Sequence, residues 1–100
     1  MKIIWSPLAI DKAGDIASYI AKDKPLAAEN WINTVFAKVE QLEHCPEIGR
    51  IVPEINERNI RELIYGNYRI IYRIGDALIS VLTIRHSKQL LLEKEIKRHD

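Results

Sequence analysis

One hundred residues make one domain, with a core large enough to hold without a metal or disulfide staple. Hydrophobic residues are 47% and charged residues 29%, which excludes a disordered chain, and the one cysteine, Cys45, excludes an intramolecular disulfide. The net charge of +1 points to no partner by itself, but residues 1–60 carry 7 Lys/Arg against 9 Asp/Glu and residues 61–100 carry 8 against 5, so the second part is the basic one.

In chain order, residues 2–5 (KIIW) are short, apolar and β-branched, a first strand. Ser6-Pro7 opens a helix: Ser is a strong N-cap, and Pro is tolerated at the first helical position. Ala9, Ala13, Ile16, Ala17 and Ile20 follow at helical spacing, so the helix is predicted over residues 7–22. Gly14 inside it costs ~1 kcal/mol relative to Ala and is a candidate for a close helix contact. Asp23-Lys24-Pro25 breaks the pattern, and Pro25 starts a second helix with the stripe Ala28, Trp31, Ile32, Val35, Phe36, Val39 and Leu42, ended at Cys45-Pro46. The two helices over residues 7–44 form an antiparallel hairpin. Residues 46–59 (PEIGRIVPEINERN) are a connector rich in turn formers.

Residues 60–86 read as a three-stranded antiparallel meander, with Gly66-Asn67 and Gly75-Asp76 at its turns. Tyr68, Ile70, Tyr72 and Ile74 alternate with Arg69, Ile71 and Arg73, one apolar face against one carrying guanidinium groups. The third strand is almost wholly apolar, which suits a central position, and ends in Arg85, His86 and Lys88. Residues 89–100 (QLLLEKEIKRHD) are a final helix or tail. The fold class is α+β: an N-terminal strand and a helical hairpin packed on an antiparallel sheet of about four strands.

No Gly-rich phosphate loop, Cys/His metal spacing or Gly-x-Ser-x-Gly elbow is present, so neither metal nor cofactor is expected. Cys45 reads as a packing residue, as do Trp5 and Trp31, and Tyr68 and Tyr72 belong to the core side. If Gly75-Asp76 is a two-residue loop, Arg69 lies opposite Leu82 and shares a face with Ser80, Leu82, Ile84 and His86. If Gly66-Asn67 is another, Ile64 lies opposite Arg69 and Glu62 opposite Ile71. Glu62, Arg69, Arg73 and His86 then look out of one side. Two readings follow. In one, Arg69 and Arg73 stabilise negative charge on a phosphodiester and His86 or Glu62 moves a proton; Arg61, Arg85 and Lys88 enlarge the anion-binding set. In the other, Glu62 pairs with Arg69 or Arg73 across strands, and His86 simply ends a strand. No run approaches ~20 apolar residues and no signal-peptide pattern opens the chain, so no membrane association and a cytoplasmic location are expected.

The order of these motifs resembles the RelE/ParE superfamily of bacterial type II toxin–antitoxin toxins, particularly its ParE-like branch. The resemblance spans nearly the whole chain. Its carriers are the opening strand and helix, Asp23-Lys24-Pro25-Leu26-Ala27-Ala28, Pro46, Gly49-Arg50, Val52-Pro53-Glu54, Arg61-Glu62-Leu63, the run from Tyr68 through Arg69 to Tyr72 and Arg73, and Val81 to His86. It implies a single toxin domain over residues 1–100, neutralised by a cognate antitoxin that wraps it as helices or an added strand in a hetero-oligomer. ParE-like members poison DNA gyrase and are not nucleases. RelE-like members cleave mRNA in the ribosomal A site without a metal; in them an Arg matching Arg69 contacts the scissile phosphate, and some keep a His near the place of His86. This chain departs from the nuclease pattern: Ser87-Lys88-Gln89 brings no catalytic Tyr after His86, and the connector has no Lys. The leading expectation is a gyrase poison. The alternatives are a ribosome-dependent endonuclease using Arg69, Arg73, His86 and Glu62, and a decayed toxin that only binds its antitoxin.

Overall fold

The computed structural model describes residues 1–87; Lys88 and the helix or tail expected at 89–100 lie outside the described residues. The chain runs β1 (Lys2–Trp5), α1 (Pro7–Ala21), α2 (Pro25–Glu40), β2 (Arg50–Ile51), β3 (Ile60–Tyr65), β4 (Tyr68–Ile74) and β5 (Leu78–His86), with short 3-10 turns at Gln41–Glu43 and Pro46–Ile48. The class is α+β, a helical hairpin on a sheet. The sheet has five strands in the order β1-β5-β4-β3-β2. β3, β4 and β5 are the antiparallel meander, β2 arises inside the connector and pairs with β3, and β1 runs parallel to β5. Parallel neighbours need a long connection, and here the helices, the connector and β2 to β4 all lie between β1 and β5 along the chain.

Ser6 caps α1. Its hydroxyl accepts from the Ala9 N–H at 3.1 Å and donates to the Leu82 carbonyl at 2.9 Å, while its own N–H reaches the Val81 carbonyl at 2.9 Å. One residue thus satisfies an orphan helix donor and fastens the helix to β5. Ala9 and Ala13 of α1, with Trp31, Val35 and Val39 of α2, bury against Ile70, Tyr72, Ile79, Val81 and Ile84. Gly14 marks no close contact: a Cβ there would meet nothing within 4 Å. Cys45, expected to pack, is exposed, because α2 gives way to a 3-10 turn at Gln41 and the buried residue there is Leu42.

The opposite face of the sheet has its own small core. The connector folds over it, and Val52 packs with Ile60, Ile71 and Leu82, flanked by Ile55. Tyr72 links the connector to the sheet. Its hydroxyl donates to the Pro46 carbonyl at 2.7 Å and accepts from the Gly49 N–H at 2.9 Å. The backbone approach there is so close that a Cβ on Gly49 would lie 2.6 Å from both the Glu62 carbonyl and the Tyr72 hydroxyl.

The β3–β4 register is the expected one, with Ile64 opposite Arg69 and Glu62 opposite Ile71, and Gly66 takes φ +57° in the turn. The β4–β5 register is not. Ile74 pairs with Ile79, so the loop is two residues longer than Gly75-Asp76 alone, a shift that preserves faces. A bulge then intervenes: Ile71 pairs with Thr83 and Tyr72 with Val81, leaving Leu82 as the extra residue. That odd residue inverts every face beyond it. Arg69 lies opposite Arg85, not Leu82, and Ile84 and His86 turn to the helix side, where Ile84 joins the main core.

Candidate functional site

On the face away from the helices, β3 and β4 bring Glu62, Arg69 and Arg73 together, and Arg85 of β5 sits opposite Arg69. Arg69 is only 4% exposed, and Glu62 is buried completely at its side chain. Their charges are matched by direct contact. Arg69 Nε donates to Glu62 Oε1 at 2.6 Å; Arg69 Nη1 and Nη2 donate to Glu54 at 2.7 and 2.9 Å; Arg50 Nε donates to Glu62 Oε2. The result is a chain, Arg50–Glu62–Arg69–Glu54, that joins β2, β3, β4 and the connector. The hydrogen bonds that Arg69 donates to Glu54 raise the pKa of its guanidinium above the ordinary value, against the opposing pull of burial. Bidentate pairing of this kind is strong and directional.

Sequence reasoning brought Glu62 and Arg69 together but missed Arg50 and Glu54 as their partners. Both sit in a connector whose path is set by tertiary contacts, 12 and 15 residues from the side chains they reach. The available signal was one arginine and one carboxylate, Arg50 and Glu54, placed two residues either side of the apolar Val52 among turn formers.

The remaining predicted residues divide. Arg61 lies at the helix-side edge, where Nη1 donates to the Gly49 carbonyl at 3.0 Å and Nε to the Arg58 carbonyl at 2.9 Å; it ties down the connector. His86 is on the helix side, its ring 5.8 Å from that of Tyr68. It lines an open cavity of about 260 Å³ with Lys12, Asp15 and Tyr19 of α1 and Tyr68 and Ile84 of the sheet. The shared face expected for Arg69, Arg73 and His86 therefore holds for the two arginines and not for the histidine. Lys88 is outside the described residues. Among the described residues no group of three His, Cys, Asp or Glu side chains is placed to hold a metal ion, and no helix is long and apolar enough to cross a membrane.

Chemically, the Arg69 guanidinium is spent on two carboxylates. A phosphate could reach it only by displacing Glu54, and the His86 imidazole lies on the other side of the sheet. What the arrangement does well is lock the connector onto the sheet and leave Arg50, with its side chain 62% exposed, at the surface.

Comparison with known proteins bears on this geometry. Residues 3–91 match the family described as the ParE toxin of type II toxin–antitoxin system, parDE. The chain is 29% identical over 90 residues to Toxin RelE2 of Caulobacter vibrioides, covering 89% of this chain and 98% of that protein. It is 31% identical to Y4kP of Sinorhizobium fredii, named as a candidate toxin, over 88% of this chain and 90% of that one. A solved structure, the chromosomal ParDE TA system from P. aeruginosa, superposes with a TM-score of 0.73 at 18% identity, covering 88% of this chain and 97% of the other, a likeness of fold. Hairpin, meander and connector thus fall within one continuous family match, and the chain belongs to the ParE toxin family of type II toxin–antitoxin systems, within the RelE/ParE superfamily.

Proposed function

We propose that this toxin inhibits growth as a protein ligand of DNA gyrase, trapping cleaved DNA, and that a cognate antitoxin neutralises it in a cytoplasmic toxin–antitoxin hetero-oligomer. One observation carries the choice of target: Arg69, the residue that would contact a scissile phosphate in a nuclease, is buried and saturated by Glu62 and Glu54. A guanidinium so engaged serves the fold. The separation of His86 from the arginine face supports the same reading, since general acid–base chemistry needs the proton carrier within hydrogen-bond reach of the reacting group.

The alternative is ribosome-dependent mRNA cleavage with Arg69, Arg73, Glu62 and His86. It draws on the common face of Glu62, Arg69 and Arg73, and it requires Glu54 to yield and a proton carrier other than His86 on that face. A supercoiling assay tests the proposal. Purified toxin added to gyrase, ATP and relaxed plasmid should block supercoiling and accumulate linear DNA, and the antitoxin should restore supercoiling. Normal supercoiling in the presence of folded toxin would overturn it.

A further inference from the structure

We propose that the cavity between α1, the start of β4 and the end of β5 binds a guanine base, carried by guanosine or one of its mononucleotides. It lies on the helix side of the sheet, away from the arginine network, and the inference is independent of the gyrase reading above.

One stripe of α1 supplies half of the wall. Lys12, Asp15, Ile16 and Tyr19 follow at helical spacing, and the stripe meets Tyr68 and Ile84 of the sheet. The Tyr68 ring is held as a platform: Trp31 meets it edge-on at 5.4 Å, and the His86 ring at 5.8 Å. The buried Ile84 and half-buried Ile16 add apolar surface. Two opposite charges, Lys12 and Asp15, stand one helical turn apart. Among the described residues neither forms an ion pair or a side-chain hydrogen bond, and the Tyr68 hydroxyl makes no hydrogen bond. Three polar groups thus line one cavity without partners inside the fold.

That combination selects a class of ligand. A carboxylate or phosphate attracted by Lys12 would be repelled by Asp15, and a guanidinium or ammonium attracted by Asp15 would be repelled by Lys12. A planar group with a donor edge beside an acceptor satisfies both. Guanine is the nucleobase whose N1–H and 2-amino group offer two adjacent donors to the two oxygens of a carboxylate, with the O6 acceptor next to them for an ammonium. The tyrosine rings supply a surface for stacking. The volume, about 260 Å³, falls just short of the ~300–1,000 Å³ of drug-sized sites, which suits one base with its sugar. A single strand is tracked by a groove of cations. This wall has one lysine, engaged on the base, so the ligand is a mononucleoside and not a strand. A free amino acid carries both charges and is the competing class.

Saturation-transfer NMR and equilibrium dialysis of the purified full chain test this, with guanosine, GMP, inosine, adenosine, cytidine and phenylalanine as probes. Guanosine and GMP should bind alike, and about tenfold or more tighter than adenosine or cytidine, the discrimination expected of a bidentate pair. Inosine, which lacks the 2-amino donor, should bind about tenfold more weakly than guanosine. Asp15→Asn, at an exposed position, should abolish the preference for guanosine over inosine with an unchanged circular dichroism spectrum. Should that variant fail to fold, Lys12→Met should still weaken guanosine several-fold. No saturation transfer to guanosine at millimolar ligand would overturn the proposal. So would equal binding of all the nucleosides, an unchanged guanosine preference in folded Asp15→Asn, tighter binding of phenylalanine, or binding confined to a guanine-containing oligoribonucleotide.

Discussion

The Tyr72 hydroxyl holds the connector in place with one hydrogen bond donated in a half-buried setting and one accepted in a buried one. Removing it leaves the Gly49 N–H and Pro46 carbonyl without their partner, so Tyr72→Phe should cost about 1–3 kcal/mol in urea unfolding. Burial pushes the Tyr72 phenol up, partly offset by the hydrogen bond from Gly49. The unfolded tyrosine ionises near pH ~10 while the folded one keeps its proton. Tyr72 thus contributes stability that is complete below that pH and lost as pH rises toward the folded value. Stability measured at increasing alkaline pH should fall more steeply in the wild type than in Tyr72→Phe; equal slopes would show that the phenol ionises alike in both states. Arg69 is a second such residue. Arg69→Ala removes one of two guanidiniums that neutralise a fully buried Glu62, and should cost about 3–5 kcal/mol. A loss of toxicity in that variant then reads as a loss of fold, which thermal unfolding in parallel would reveal. A variant with wild-type stability would mean that the network is not structural.

At the scale of elements, α1 and β5 differ in how much of them the sequence carries. Ser6-Pro7 and the spacing of Ala9, Ala13 and Ile16 act locally, so the start and inner face of α1 could be read directly. Gly14 could be located but not interpreted, since its surroundings depend on packing. It faces open space, and Gly14→Ala should stabilise the protein by about 0.5–1 kcal/mol by reducing unfolded-state freedom, seen as a higher urea midpoint. Gly49, where a Cβ meets backbone and the Tyr72 ring, should tolerate no such change. The β5 bulge had no local signal. The Leu82 carbonyl is met by a hydroxyl 76 residues away, at Ser6, and Leu82 and Thr83 look like any other residues of an apolar strand. Because a single extra residue inverts faces, the placement of His86 was lost with it. The β3–β4 turn, with Gly66 at positive φ and Asn67 beside it, was legible because its chemistry is contained in two residues.

For the whole molecule, apolar stripes on two helices and one sheet face leave few ways to assemble, and that logic yields the architecture. It says nothing of the second layer on the other face. The connector is rich in turn formers, and only Val52, with Ile55 beside it, anchors it to Ile60, Ile71 and Leu82. Its course is set by the Arg50–Glu62–Arg69–Glu54 chain and by Tyr72, contacts between distant residues. The consequence for function is large, since the same chain that fixes the connector occupies the arginine a nuclease would need. Primer extension on a defined mRNA in a reconstituted translation extract, with and without toxin that inhibits gyrase in the same preparation, tests this most directly. Unchanged 5′ ends during active translation are the predicted result. New 5′ ends within codons, appearing only when ribosomes translate, would contradict it and require Glu54 to release Arg69 on the ribosome.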